Sequence, residues 1–223
     1  ARERSSFKSK EVKLVAAVKK QPAEVVLEYI ELAKKNGISP IIGDNYVQEY
    51  EEHKAQLTNQ GDYESHLIGH LQRNKAKRAV ELFDVIEGVD SERLLLAIQK
   101  EGLKIGKKQR VFFQVNISND PAKSGMSIEE LRRLASDQLP ICSHISWCGL
   151  MTITENYDDL NLVREDYRAM RALYDEIRSA SFFNSVINPN AFDLSMGMSG
   201  DYEIGIEEGA TMVRIGTALF GTR

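Results

Sequence analysis

Two short turns rich in glycine and serine occur near the C-terminal end of the chain. Residues 194–200 read LSMGMSG and residues 212–217 read MVRIGT. Glycines let backbone N–H groups approach an anion closely, and a helix N-terminus adds a partial positive charge. Two such turns side by side would bind a phosphate, and Arg214 supplies a permanent cation beside them. Without further support, the same residues would form two ordinary strand-to-helix turns.

A lysine near the other end of the chain suggests what carries the phosphate. Lys19 directly follows a β-branched apolar run, residues 12–18. A partly desolvated amine is more readily neutral and can then attack an aldehyde. An amine, a phosphate site and an arginine brought to one place indicate a phosphorylated aldehyde held as a lysine Schiff base. Pyridoxal 5′-phosphate (PLP) meets these requirements and is the predicted cofactor. By itself, a lysine at position 19 would more often be an ordinary surface lysine, so the prediction depends on the other residues.

Composition and charge exclude several classes of protein. The chain has 223 residues, 42% of them apolar and 28% charged, which is typical of a globular protein with a sizeable core. A net charge of −4 argues against a nucleic-acid or anionic-membrane surface. No run reaches membrane-spanning length, and residues 1–10 are polar and basic without the apolar segment of a secretion signal. Cys142 and Cys148 form no Cys-x-x-Cys pair, so we expect a reduced, cytoplasmic protein.

Strand and helix signals alternate along the chain, because short β-branched runs alternate with helical apolar spacing. Ser127 and Glu130 are spaced as a capping box, and Ser199 or Gly200 could cap a helix that starts near Asp201. The predicted helices are 23–36, 46–57, 74–82, 91–102, 128–139 and 160–181. The predicted strands are 12–18, 40–43, 65–68, 84–87, 111–117 and 145–153, one leading into 194–200, and 212–215.

Eight strand signals separated by helices, with no linker, favour a single α/β domain over residues 1–223, a (β/α)8 barrel of the TIM type. An open doubly wound sheet is the alternative, but no Gly-x-Gly-x-x-Gly or Walker motif is present. In a barrel the carboxyl ends of all strands meet at one face, so distant residues share a site. The residues at those ends include Lys19, Asn45, His70, Asn116, Met151, Ser195, Met198, Ser199, Arg214, Gly216 and Thr217.

Seven motifs follow one another along the chain. They are GDNYVQE (43–49), HLIGHLQRNK (66–75), VDSERL (89–94), QVNIS with KSGM (114–118 and 123–126), GLM (149–151), LSMGMS (194–199) and MVRIGTALFG (212–221). In this order they resemble the pyridoxal-phosphate homeostasis protein family, whose fold is similar to the barrel domain of alanine racemase. The resemblance covers nearly the whole chain.

The resemblance implies roles for individual residues. The family's Schiff-base lysine, three residues before the proline of the first turn, corresponds to Lys19. Asn45 would lie against the cofactor ring, and Arg214 would face the pyridine nitrogen or lie between ring and phosphate. Ser199, with the backbone of Gly216 and Thr217, would hold the phosphate. The remaining residues expected around the cofactor are His70, which would line the pocket mouth, Met151, Ser195 and Met198.

This sequence departs from the family pattern in three places. Val18 replaces a serine before the lysine, Lys20 follows it as a competing amine, and Asp44 replaces a glutamate. Alternation along a strand lets only one of two adjacent lysines face the barrel mouth, and the spacing to Pro22 favours Lys19. Relatives in the family carry a longer N-terminal helix before the first strand, so we expect a shortened helix and a truncated chain.

Two other groups of residues could in principle form a metal site or a nucleic-acid surface. His66 and His70 are four residues apart, but no acidic residue is expected to complete a metal site with them. The basic residues between Arg73 and Arg78 fit a solvated helix face better than a nucleic-acid surface. We therefore predict neither a metal nor a nucleic-acid partner.

Two classes of function are compatible with a PLP site. A carrier would hold PLP and exchange it with free pools or PLP-dependent apoenzymes, whereas a racemase-like enzyme would act on amino acids. Alanine racemase needs a second base from an additional domain, and this sequence ends at Arg223, after the eighth strand. The sequence therefore favours a carrier without strong turnover, as a monomer or weak homodimer. A phosphate-sugar aldolase, which usually places its lysine on a later strand, explains Lys19 less well.

Overall fold

The structure, a computed structural model, describes residues 1, 3, 5, 11–57, 63–180, 187 and 191–221. Its eight strands are all parallel and close into a barrel in chain order, with β1 paired to β8. The predicted (β/α)8 barrel is therefore confirmed. The strands are β1 (Lys13–Ala17), β2 (Ile41–Asp44), β3 (Glu64–Leu67), β4 (Val85–Val89), β5 (Gln109–Gln114), β6 (Ile145–Met151), β7 (Asp193–Ser195) and β8 (Met212–Ile215).

Helices follow the strands and surround the barrel. No helix in the described part of the chain is long and apolar enough to span a membrane. Two 3-10 turns, Arg73–Lys75 and Leu139–Ile141, accompany the helices. The helices are α1 (Ala23–Lys35), α2 (Val47–Gln56), α3 (Ala76–Leu82), α4 (Glu92–Ile105), α5 (Ile128–Asp137), α6 (Leu160–Ser179), α7 (Tyr202–Glu207) and α8 (Thr217–Phe220).

The sequence located most elements within a few residues, and the fourth helix shows why it missed some boundaries. Gly102 was expected to end α4, but the helix continues to Ile105 and ends at Gly106, whose φ is 67°. A Cβ at Gly102 would lie 2.7 Å from the carbonyl oxygen of Lys107. Gly102 is therefore needed for close packing, and Gly106 supplies the left-handed cap.

Other boundaries shifted for local reasons. The capping box of Ser127 and Glu130 is present, with both hydrogen bonds formed. β5 begins at Gln109, two residues earlier than expected, because Gln109 and Arg110 pair with β6. Ser181, predicted as the last residue of α6, lies outside the described residues, as does most of the segment expected to hold a shortened N-terminal helix.

The core has two layers separated by the sheet. The outer layer, between strands and helices, is large and contains Phe113, Trp147 and Tyr174. The inner layer fills the barrel and is much smaller. Its apolar members are Val15, Ile41, Ile68, Val85, Phe112, Met151 and Met212.

Candidate cofactor-binding site

Lys19 lies two residues after the end of β1, in the turn that leads to α1. Its position has the same parity as Val15 and Ala17, which pack in the inner layer. The Lys19 amine lies 5.5 Å from the centre of the Tyr46 ring. Lys20 is exposed and has a φ of 58°, so its side chain leaves from a different backbone direction.

The strand register brings two other predicted residues beside Lys19. On one side Ala17 pairs with Gly43, which sets Asn45 level with Lys19. On the other side Ala16 pairs with Ile215, and a Cβ added to Gly216 would lie 3.3 Å from the carbonyl oxygen of Ala17. The three chain segments therefore converge at one edge of the barrel mouth.

Ser199 connects the two glycine- and serine-containing turns. Its hydroxyl oxygen accepts hydrogen bonds from the backbone N–H groups of Gly216 and Ala218, both at 3.2 Å. These two N–H groups thus point at a single acceptor, as expected of a site for an anion. Thr217, the first residue of α8, is exposed beside them.

The expectation that Ser199 or Gly200 caps the helix near Asp201 was wrong. The N-cap residue of α7 is Asp201, and its side chain makes no capping bond. The Asp201 carboxylate instead accepts a hydrogen bond from the backbone N–H of Met198, at 2.6 Å. The Ser199 hydroxyl instead accepts hydrogen bonds from the turn after β8, whose donors lie 17 and 19 residues further along the chain.

Arg214 is buried near the C-terminal end of β8 and is held by β7 and by the residue that follows β6. Its Nη1 donates to the carbonyl oxygen and the hydroxyl of Ser195, at 2.9 and 2.6 Å. Its Nη2 donates to the carbonyl oxygen of Thr152, at 2.7 Å. Ser195 therefore contacts Arg214 directly, and the guanidinium is fixed in orientation.

A chain of charged residues continues from Arg214 through the barrel interior. The Ser195 hydroxyl donates to Glu87 at 2.6 Å, and Glu87 accepts from Nδ1 of His66 at 2.6 Å. The other His66 nitrogen, Nε2, lies 2.6 Å from Glu64, and Glu64 accepts from Arg110 at 3.0 Å. His66 therefore lies between two carboxylates, but no group of His, Cys, Asp and Glu residues in the described ranges could hold a metal ion.

The linked charged residues inside the barrel change one another's pKa values. Burial raises the pKa of the Glu87 carboxyl, but the hydrogen bond and charge of His66 outweigh burial and leave that pKa below its usual range. Burial lowers the pKa of His66, but its hydrogen bonds to Glu64 and Glu87 outweigh burial and raise it overall. Both directions favour the charged forms of this pair, a protonated His66 and an ionised Glu87.

Glu87 and His66 were missed as a pair although a sequence signal existed. Both residues lie on predicted strands at positions of the same parity as interior residues. These interior residues are Val85 on β4 and Ile68, directly after β3. A charged side chain at such a position is buried and must find a partner. The identity of that partner depends on strands far apart in sequence.

The other predicted site residues occupy different depths of the barrel mouth. Asn45 is half-buried, and Met151 is fully buried in the inner layer beneath the mouth. His70 is exposed, with Nδ1 at 2.9 Å from Asp90 and 3.4 Å from the Ser124 hydroxyl. His70 thus belongs to a polar group on the outer edge of the same face.

A cavity of about 850 Å³ lies at the opposite end of the barrel, around the N-terminal ends of β1 and β2. Lys13, Lys34, Glu64 and Arg110 are among its lining residues. The residues predicted to bind the cofactor lie instead at the C-terminal face. Lys19, the Ser199 turn and Arg214 converge there, as active-site residues do in barrels of this type.

Comparison with known proteins shows the family to which the chain belongs. Residues 2–223 match the model of the alanine racemase N-terminal domain family. The pyridoxal phosphate homeostasis protein of Aquifex aeolicus is 37% identical over 95% of this chain and 87% of its own length. That of Vibrio cholerae is 35% identical over 95% of this chain and 86% of its own. The chain belongs to the pyridoxal phosphate homeostasis protein family.

Solved structures give the same relationship. The PipY protein of Synechococcus elongatus, solved with PLP bound, superimposes with a TM-score of 0.79. It is 31% identical, and the match covers 94% of this chain and 92% of PipY. Alanine racemase from E. faecalis, at 15% identity and a TM-score of 0.71, matches 95% of this chain but 54% of the racemase, and shares the fold.

Proposed function

We propose that this protein binds PLP at the C-terminal face of its barrel, as a single cofactor-binding domain, and takes part in intracellular PLP homeostasis. The observation that carries the proposal is the convergence of Lys19, the Ser199 turn and the buried Arg214 at one edge of the barrel mouth. Two relatives that match 95% of the chain are named pyridoxal phosphate homeostasis proteins, and PipY was solved with PLP.

The residues present fit a phosphorylated aldehyde. The backbone N–H groups of Gly216 and Ala218 already converge on one oxygen, that of Ser199, so they are directed as phosphate binding requires. We propose that Ser199, Gly216 and Thr217 bind the phosphate. PLP supplies an aldehyde, which the amine of Lys19 would hold as a Schiff base.

Around this anchor the other residues would orient the cofactor and limit access of water. Asn45 would lie against the ring, with Met151 below it, and His70 and Met198 at the edge of the mouth. We propose that Arg214 faces the pyridine nitrogen or lies between ring and phosphate. At the nitrogen, a permanently charged donor would disfavour protonation and leave the ring a poor electron acceptor. That would suit a carrier better than a catalyst.

Exchange of PLP with apoenzymes, a cytoplasmic location and a monomeric or weakly dimeric state stay predictions. Strong turnover of an L-amino acid by the purified protein would argue against the carrier role and for the racemase-like alternative.

The proposed anchor can be tested by borohydride reduction with PLP followed by peptide mass mapping. We expect a reduced adduct on the peptide that contains Lys19. Lys19→Ala should abolish the adduct while circular dichroism shows a folded protein. Lys20→Ala is the matched control and should retain it. Loss of the adduct in Lys20→Ala alone would instead assign the anchor to Lys20 and contradict the strand register.

A further inference from the structure

Glu87 is a fully buried carboxylate that the proposed cofactor contacts do not use. It lies on β4, whereas Arg214 lies on β8, across the barrel. Nη1 of Arg214 and the nearer Glu87 oxygen are 3.9 Å apart, which is too far for a hydrogen bond. The contact therefore passes through Ser195, which accepts from Arg214 at 2.6 Å and donates to Glu87 at 2.6 Å.

The direction of these hydrogen bonds is fixed by chemistry. A guanidinium can only donate, and an ionised carboxylate can only accept. The Ser195 hydroxyl between them must therefore send its proton to Glu87 and present its lone pairs to Arg214. Without the carboxylate, the hydroxyl would be free to rotate, and one of the three hydrogen bonds that fix Arg214 would weaken.

His66 keeps Glu87 in the state that this arrangement needs. Both His66 nitrogens face carboxylates, Glu64 and Glu87, so donation to both requires both ring protons. Charges then alternate along the chain from Arg110 through Glu64, His66 and Glu87 to Arg214. An uncompensated carboxylate in the barrel would be costly, whereas this alternation leaves each buried charge paired.

We propose that Glu87 is a positioning residue for the cofactor site, acting through Ser195 to fix the guanidinium of Arg214, and that His66 in turn holds Glu87. This inference rests on the proposed function, because the orientation of Arg214 matters to the cofactor only if PLP binds there. A purely structural role would predict a loss of stability without a specific loss of cofactor affinity.

Two substitutions of Glu87 separate its charge from its hydrogen bonds. In Glu87→Gln, the amide oxygen can accept from Ser195 while the amide N–H donates to Nδ1 of a neutral His66, whose Nε2–H still donates to Glu64. The hydrogen-bond pattern is then complete, so we expect PLP affinity close to that of the unaltered protein. In Glu87→Ala the pattern is broken, and we expect about tenfold weaker PLP binding, measured by absorbance titration.

Thr211→Val is the matched control for loss of a buried polar group. The Thr211 hydroxyl donates to Asp193 and accepts from the backbone of Leu194, both at 2.8 Å, and does not contact Arg214. We expect this variant to lose stability but keep its affinity for PLP. Equal weakening of PLP binding in Thr211→Val and Glu87→Ala, or unchanged binding in Glu87→Ala, would overturn the proposal.

Ser195→Ala tests the same link from the other side and serves if Glu87→Ala does not fold. It should weaken PLP binding to a similar extent as Glu87→Ala. Combining Ser195→Ala with Glu87→Ala should weaken binding little more than either alone, because both act through one contact. Additive losses would contradict a path through Ser195.

A measurement on the cofactor-free protein separates this inference from the proposed function. The guanidinium N–H signals of Arg214 in NMR spectra should be resolved in the unaltered protein and averaged by rotation in Ser195→Ala and Glu87→Ala. If the unaltered protein does not bind PLP, the proposed function fails. Unchanged Arg214 signals in both variants would show that Glu87 does not fix Arg214.

Discussion

The two layers of the core are built from different chemistry. Outside the sheet, apolar and aromatic side chains fill the space between strands and helices, with Trp147 in contact with Phe113 and Phe192 at ring distances of 4.9 and 5.2 Å. Inside the barrel, a thin apolar layer shares the space with the charged chain from Arg110 to Arg214.

The difference indicates where stability and function reside. Apolar burial is non-directional and tolerates small rearrangements, so it can hold strands and helices together without specifying a ligand. A buried charge must instead be paired in a defined geometry. The paired charged residues inside the barrel are therefore suited to fix Arg214 in one orientation. The apolar outer layer provides a rigid barrel around them.

Removing the largest side chain of the outer layer should test this separation most strongly. Trp147 is 2% exposed, and its indole N–H donates to the carbonyl oxygen of Gly149 at 2.8 Å. Trp147→Ala should lower the free energy of unfolding by about 3–5 kcal/mol, because a cavity remains and a buried hydrogen bond is lost. Trp147 is the single tryptophan, so unfolding should be followed by circular dichroism.

Trp147→Phe, which keeps most of the packing, should lose clearly less stability. In both variants the folded protein should keep its PLP affinity. A drop in affinity that parallels the drop in stability would show that the outer layer also shapes the site.

The charged residues inside the barrel should make the free energy of unfolding depend on pH. Burial raises the pKa of the Glu64 carboxyl, but the hydrogen bond and charge of His66, with Arg110, outweigh it and lower the pKa from 4.5 to about 2. Because the folded form binds its proton less readily, this group stabilises the fold above pH 4.5 and ceases to do so as the pH falls towards 2. Glu87, whose pKa is also lowered, acts in the same direction.

The raised pKa of His66 gives the opposite trend on the alkaline side. The stabilisation that protonated His66 gives the fold is complete below its usual pKa of 6.5. It is lost as the pH rises through the higher pKa of His66 in the folded protein. Free energies of unfolding from denaturant titrations over a pH series would test both limbs. Glu64→Gln should flatten the acid limb, and an unchanged limb would assign the acid sensitivity to other carboxylates.

The smallest expected effect lies far from both layers, at the start of α5. The Ser127 hydroxyl accepts from the N–H of Glu130 at 3.1 Å, and the Glu130 carboxylate accepts from the N–H of Ser127 at 2.9 Å. Ser127→Ala should lower the free energy of unfolding by about 1 kcal/mol, because one helix N–H loses its partner. PLP affinity should not change.

Ser136→Ala, an exposed substitution on the same helix, is the control and should change stability by less than about 0.5 kcal/mol. Equal effects of Ser127→Ala and Ser136→Ala would mean that the capping box contributes little.

The sequence by itself determined the barrel and much of the candidate site. Alternating strand and helix signals, the capping box of Ser127 and the parity of Lys19 are local properties, readable from neighbouring residues. The seven ordered motifs identified the family for the same reason, since each is a short stretch at the end of a strand.

Only the tertiary structure decided how the polar residues pair. Ser195 meets Glu87 across 108 residues of chain, and Ser199 bonds to the turn after β8 instead of capping α7. Gly102, which read as a helix end, proved to be a point of close packing. In each case the partner is set by barrel closure and strand register, which bring together groups whose separation in sequence carries no record of their contact.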